Sequence, residues 1–292
     1  MQVPDTFEYE RASSVEHALE LLTKYGDDAR LIAGGHSLLP MMKLRLAVPE
    51  VLIDINDIPG LDQIRVDGDE LSIGALVRHS GLLDSAILAE HYPIFADAER
   101  VIADPLVRNA GTIGGSFCQS DPAEDLSAVG AALRGTVVIT GTQGARTVPI
   151  REFHAGPYET VVGDTEMVTE LRFPIRHSTG SAYQKVERRV GDWAVAAVGA
   201  FVQLDGDTIA DVGLGLAAVG ADNFTCPEAE DALRGQRASL EAFQAAGQLC
   251  HDHSNPTTDQ RGPEDYKRHL ARELTVRALT KATARARGEE NA

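Results

Sequence analysis

Apolar residues recur along this chain in two rhythms, one helical and one of short continuous runs. Val15, Ala18, Leu19 and Leu22 fall three and four apart and predict a helix. Ser13-Ser14-Val15-Glu16 before them reads as a capping box, with Ser13 capping and Glu16 reaching back, and Gly26 is the expected C-cap. The apolar runs at 30–33 and 51–55 read as buried strands, so residues 1–55 form a first α/β unit. Residues 61–66 and 71–74 flank Asp67-Gly68-Asp69 as a hairpin. Helices are expected over 80–90, from Pro93 to Val101, and over 126–133, and strands over 136–140, 146–149 and 166–173. This block, 56–175, is α+β in pattern. The composition then shifts at Pro174-Ile175-Arg176-His177-Ser178-Thr179-Gly180. Beyond it, three strands are expected over 182–189, 194–204 and 209–219, with an Asp205-Gly206-Asp207 turn between the last two. The chain reads as helical from Pro227. Its last helix, 264–287, would place Tyr266, Leu270, Leu274 and Ala278 on one stripe, and 288–292 would fray. Residues 176–292 therefore read as a sheet with helices.

Composition narrows the possible functions. The 292 residues suffice for two or three cores. A net charge of -17 disfavours nucleic acid and anionic membrane as partners. It leaves room for an anionic cofactor, because backbone N–H groups hold phosphate without Lys or Arg. Cys118, Cys226 and Cys250 are far apart, and three thiols fall short of the four that an ordinary iron–sulfur cluster takes. They also make no disulfide framework, and a cytoplasmic location fits. The first residues have neither the basic start nor the apolar core of a signal peptide, and no run approaches the ~20 residues that span a bilayer.

Two stretches concentrate the candidate chemistry. Ala33-Gly34-Gly35-His36-Ser37 follows the apolar Leu31-Ile32, and Thr112-Ile113-Gly114-Gly115-Ser116 follows Asp104-Pro105. Glycines permit close backbone approach, and free N–H groups in a turn suit phosphate. A single such turn fits a tight strand-to-helix connection equally well. Two of them, in separate subdomains and each with small hydroxyl residues, fit a clamp on a pyrophosphate. Neither is a G-x-G-x-x-G opening a helix within a βαβ unit, so a Rossmann site is not indicated.

These two stretches, with Leu38-Leu39-Pro40, resemble the FAD-binding motifs of the flavoprotein (medium) subunits of molybdenum hydroxylases. The carbon monoxide dehydrogenase type is nearest, and the FAD domain of xanthine dehydrogenase is a more distant cousin. The resemblance extends through Lys43-Leu44-Arg45-Leu46, Arg108-Asn109, Asp121-Pro122-Ala123-Glu124-Asp125, Arg172-Phe173-Pro174, Arg188-Arg189 and Asp265-Tyr266-Lys267-Arg268-His269-Leu270. It implies an α+β fold: a two-subdomain α/β FAD-binding module of the vanillyl-alcohol-oxidase-like (PCMH) type, closed by a C-terminal domain of a small antiparallel sheet with helices.

The resemblance also implies roles. Ala33, Gly34, Gly35, His36 and Ser37 would hold the pyrophosphate of noncovalent FAD together with Thr112, Gly114 and Gly115, mainly by backbone N–H. Asp125 would accept hydrogen bonds from cofactor hydroxyls; by itself it reads as a helix N-cap. Ile102 and Val168 would meet the flavin ring through backbone atoms, though both also suit plain core. Lys185 would lie near the ring or phosphates, where a strand Lys by itself suggests a solvated face. Trp193 would stack on the ring, and a core Trp fits it equally. His36 reads as a neighbour of the phosphates, neither a flavin linkage nor a metal ligand. His251 and His253 form a His-x-His with no further ligand near in sequence, and read as a solvated loop. Cys118 reads as a buried filler.

The implied function is electron transfer within a heterohexameric oxidoreductase. A large subunit would carry the molybdenum cofactor and a small subunit the iron–sulfur clusters. FAD on this chain would pass electrons to a quinone, NAD or another acceptor, with no catalytic side chain on this polypeptide. Arg45, Arg108, Arg188 and Arg189 are candidates for the partner face or for the cofactor's charge. A stand-alone FAD oxidase and a non-enzymatic nucleotide-binding module are the rival readings. From sequence, Gly35→Val or Gly114→Val is expected to lower FAD occupancy, read by absorbance, while the rest stays folded.

Overall fold

A computed structural model describes residues 3–289. The N-terminal unit runs β1 (Glu8–Arg11), α1 (Val15–Tyr25), β2 (Ala29–Ile32), α2 (Leu38–Lys43) and β3 (Val51–Asp54). Its strands form a parallel sheet in the order β1-β3-β2. The central β3 is the most apolar, and Val51, Leu52 and Ile53 are buried between α1 and the middle of the molecule. The cap of α1 differs from expectation by one residue. Ser14, not Ser13, accepts from His17 N at 3.1 Å, while Ser13 bonds the His17 ring. Gly26 ends the helix with a positive φ, as expected.

The middle unit contains β4 (Ile64–Asp67), β5 (Glu70–Gly74), then α3 (His79–Asp84), α4 (Ala86–His91), α5 (Ile94–Glu99), α6 (Pro105–Ala110), α7 (Ile113–Gln119) and α8 (Asp125–Leu133). It ends with β6 (Thr136–Gly141), β7 (Gly144–Pro149), the small pair β8 (His154–Gly156) and β9 (Glu159–Thr160), and β10 (Glu166–Pro174). Five strands make an antiparallel sheet ordered β4-β5-β10-β6-β7. The single helix expected over 80–90 is split at Ser85, whose hydroxyl caps α4. A bulge in β10 between Val168 and Glu170 turns the Thr169 carbonyl to Ala75 N at 3.0 Å.

The last unit is a meander of β11 (Thr179–Val186), β12 (Ala196–Asp205) and β13 (Thr208–Ala217), followed by α9 (Pro227–Leu233), α10 (Leu240–His253) and α11 (Glu264–Ala286). Leu270, Leu274 and Ala278 of α11 are buried, but Tyr266 is 43% exposed and leaves the expected stripe. Of the expected frayed end, 290–292 lie outside the described residues. Among the described residues, no helix is long and apolar enough to cross a membrane.

Helix α8 joins the last two units. Every one of its residues is buried. On one side Gly130 admits Ile150 and Phe117. On the other, the backbone of β13 lies directly on the helix: a Cβ at Gly213 or Gly215 would collide with the carbonyls of Ala132 and Ala128. Buried ion pairs brace the same contact. Arg134 and Arg151 converge on Glu230, and Arg285 reaches Asp97 of α5 at 2.6 Å. Gly215→Ala is expected to destabilise by about 1–3 kcal/mol through overpacking. Gly81→Ala, in α3 with only ordinary contact to Val77 Cγ1 at 3.6 Å, should instead stabilise by up to about 1 kcal/mol. Urea midpoints check both signs.

Candidate functional site

A cavity of about 700 Å³ runs along the seam where β2, α7, β10 and the β11–β12 loop meet. The first glycine stretch forms one wall. Gly35 has φ +71°, a conformation that favours glycine. Gly34 leaves room for the neighbouring chain, since a Cβ there would sit 2.7 Å from Gly111 Cα. Among the described residues, no protein group accepts from the N–H of Gly34, Gly35, His36 or Ser37. Four successive donors thus border the cavity together with Ala33. The His36 ring folds back on the Gly34 carbonyl at 3.0 Å, and Ser37 donates its hydroxyl to Gln119 at the end of α7.

The second stretch is built differently, and the expected equivalence of the two turns does not hold. Thr112 caps α7, its hydroxyl accepting from Gly115 N at 3.2 Å. Gly114 N already donates to Ala75 O at 2.9 Å, and a Cβ on Gly114 would meet Ala75 Cβ at 2.7 Å. Gly114 is therefore glycine because Ala75 packs on it. Gly114→Val would strike the fold before it altered the cavity, which corrects the expectation from sequence. Gly115 borders the cavity, and a Cβ there would meet only Thr112 Oγ1, at 2.9 Å.

The floor carries buried charge. Lys185 is no solvated strand residue: its side chain is 1% exposed, and it donates to Asp125 at 2.9 Å and Val101 O at 3.0 Å. Tyr183 donates to the other Asp125 oxygen at 2.6 Å. Burial pushes the Asp125 carboxyl up against the pull of Lys185 and Tyr183. Asp125 is also not the helix cap. Glu124 is, accepting from Ser127 N at 2.7 Å, and burial with the Asp125 charge pushes it up to about 7. Behind α7 lies a chain from Glu99 to His79 Nδ1 at 2.9 Å and from His79 Nε2 to Ser116 at 3.1 Å. Burial opposes charge on His79, but the hydrogen bond and charge of Glu99 outweigh it and hold His79 above its ordinary value.

The apolar side is formed by Ile102 and Val168, both nearly buried. Ile102 turns its carbonyl away to Arg108 at 2.8 Å, so only its side chain is free to pack in the cavity. Arg108 is thereby committed to the 102–103 backbone, not to a partner face. Trp193 is no core residue: it stands at the rim, 39% exposed. Its loop is set by Gly191, at φ +76° and close against Ala103. Cys118 is exposed on the cavity wall and is not a filler.

The thirteen residues assigned to the cofactor from sequence thus border one cavity, but His79, Glu124 and Gln119 were missed. Reading Thr112 as an N-cap would have extended α7 and placed Gln119 at its end. No sequence pattern links His79 to Glu99. Glu124 yields a pH test. Its folded value lies above its ordinary 4.5, so the fold holds the extra proton between the two values. Its stabilising contribution is full below the lower value and is lost as pH rises through about 7. Wild type should therefore lose stability relative to Glu124→Gln over that window. Parallel urea-midpoint profiles for the two proteins would contradict the assignment.

Comparison with known proteins closes the case. Residues 5–176 match the family model described as FAD binding domain in molybdopterin dehydrogenase, and 181–282 match CO dehydrogenase flavoprotein C-terminal domain. The carbon monoxide dehydrogenase medium chain of Hydrogenophaga pseudoflava is 41% identical, over 97% of this chain and 99% of its own. The glyceraldehyde dehydrogenase medium chain of Sulfolobus acidocaldarius is 35% identical, over 94% and 98%. A solved structure of the Hydrogenophaga pseudoflava carbon monoxide dehydrogenase superposes with a TM-score of 0.94, at 42% identity, over 97% of this chain and 99% of the other. The chain belongs to the FAD-binding medium subunits of the molybdenum-dependent dehydrogenases, and is an oxidoreductase subunit.

Proposed function

We propose that this chain is the electron-transfer subunit of its complex. It takes electrons from iron–sulfur clusters on a small subunit, fed by a molybdenum-containing large subunit, and passes them to an external acceptor such as a quinone or NAD. When bound, FAD supplies the redox chemistry. The chain's own residues bind, orient and shield it. The observation that carries this reading is the row of four unpaired N–H groups from Gly34 to Ser37, facing a cavity of dinucleotide size. In this reading they hold the pyrophosphate, with Gly115 as the close wall opposite. Asp125, fixed by Tyr183 and Lys185, faces the cofactor's hydroxyls. Ile102 and Val168 form one side of the ring's slot, and Trp193 covers its open edge. The division into 1–55, 56–175 and 176–292 belongs to the same reading, since the cavity draws walls from all three.

In the same reading, the partner face would include exposed apolar groups close in sequence to cavity-lining residues. Leu44, Leu46 and Val48 are more than half exposed, and so are Leu106 and Val190, which flank the cavity-lining Val107 and Gly191. Exposed apolar clusters of this kind mark contact surfaces.

Purified chain should be yellow and release FAD on denaturation. Gly115→Ala, which adds a methyl to the cavity wall, should lower FAD content with at most about 1 kcal/mol of lost stability through its Thr112 cap. Trp193→Ala should leave folding intact and shift the flavin's absorption and potential. In the whole complex, removal of FAD should leave cluster reduction by substrate intact and stop reduction of the acceptor. Colourless protein that takes up no FAD defeats the reading, as does substrate oxidation by this chain without partners.

A further inference from the structure

Far from the seam in the fold, three metal-ligating side chains meet where α9 begins and α10 ends. Cys226 immediately precedes α9, Glu228 stands in its first turn, and His253 is the last residue of α10. Glu228 Oε2 is 3.2 Å from His253 Nδ1 and 3.9 Å from Cys226 Sγ. All three ligand atoms lie within 4.8 Å of one another. A tetrahedral zinc ion, bound at ~2.3 Å to sulfur and ~2.0–2.1 Å to nitrogen and oxygen, sets its ligand atoms about 3.4–3.6 Å apart. The observed spacings bracket that range, so small side-chain rotations complete the geometry.

The donor set suits a divalent ion. Cys250 lies one turn before His253 on α10 and, like Cys226, is fully buried. A thiolate and a carboxylate beside a neutral imidazole carry two negative charges, which a divalent ion neutralises. Sulfur and nitrogen donors select zinc over magnesium or calcium. Cys226 is fully buried, whereas Glu228 and His253 reach solvent, so the fourth position opens outward. His251 takes no part, since its ring pairs with Asp252 at 2.8 Å.

We propose that Cys226, Glu228 and His253 form a binding site for zinc or a similar divalent ion, with water in the fourth position, clipping α9 to α10. His251 and His253 do not form the expected solvated loop, since both lie in the last turn of α10; in this proposal the further ligands come from the start of α9, 25 to 27 positions earlier in the chain.

The test uses the full chain, reduced and stripped by a chelator, then titrated with Zn2+ by calorimetry and with Co2+ by difference absorption. One equivalent should bind, with a sulfur-to-cobalt charge-transfer band. Cys226→Ser and His253→Ala should each weaken binding by about a hundredfold or more, beyond the loss typical of an outer-shell partner. His251→Ala should bind as wild type does. His253 is on the surface, so its variant keeps the test open if Cys226→Ser fails to fold. Equal Zn2+ affinity for wild type and His253→Ala, or Co2+ binding without the charge-transfer band, overturns the site.

Discussion

The contact between Asp125 and Lys185 is the constraint on which the rest depends. Asp125 begins α8, the helix with no exposed residue, and Lys185 lies near the end of β11. Both are buried, and each needs the other: removing one partner of such a pair leaves an unpaired buried charge that costs about 3–5 kcal/mol. The pair forms only when the C-terminal sheet is seated on α8. Seating is close because Gly213 and Gly215 let the strand backbone touch the helix. Docking of that sheet and completion of the cavity floor are therefore one event. A cofactor bound at the seam would stabilise the docked form by mass action.

The two glycine stretches divide the work unequally. Both contain Gly-Gly beside small hydroxyl residues, and both open a short helix. In the second, the N–H groups are spent inside the protein, on Ala75 and on the Thr112 cap. It contributes a compact wall. In the first, the turn at the left-handed Gly35 leaves four N–H groups beside the cavity without a protein acceptor among the described residues. The Ser37 to Gln119 hydrogen bond ties the walls together, so that the donors are held in place before any ligand arrives.

Much of this was legible in the sequence, because the signals were local. The hairpins around Gly68 and Gly206 and the buried strands stand where apolar runs and turn residues put them. Where the chain offered two local solutions, as with adjacent Ser13 and Ser14, the sequence pattern does not decide between them; in the structure Ser14 caps and Ser13 bonds the His17 ring. Helix α7 was hidden, since two glycines argue against a helix that tertiary contacts with Ala75 and Val77 impose. The fate of Lys185 was illegible for another reason. A strand position has a solvated and a buried face, and a lysine is assigned to the former unless its partner, 60 residues away in α8, is known. The same holds for His79 with Glu99 and for His253 with Cys226.

These pairings bear on how an acidic chain can hold an anion. The buried Lys185 of the cavity wall is already matched by Asp125, and the His79 ring is engaged by Glu99. Little positive charge is left for a diphosphate. Arg30, which also borders the cavity, is turned to the carbonyls of Asp27 and Ala29. The attraction must then come largely from fixed backbone dipoles, which act over a few ångströms and vanish beyond them. Such a site adds no long-range positive field. The chain keeps its net negative charge, while one groove suits a ligand that presents phosphate oxygens at hydrogen-bonding distance.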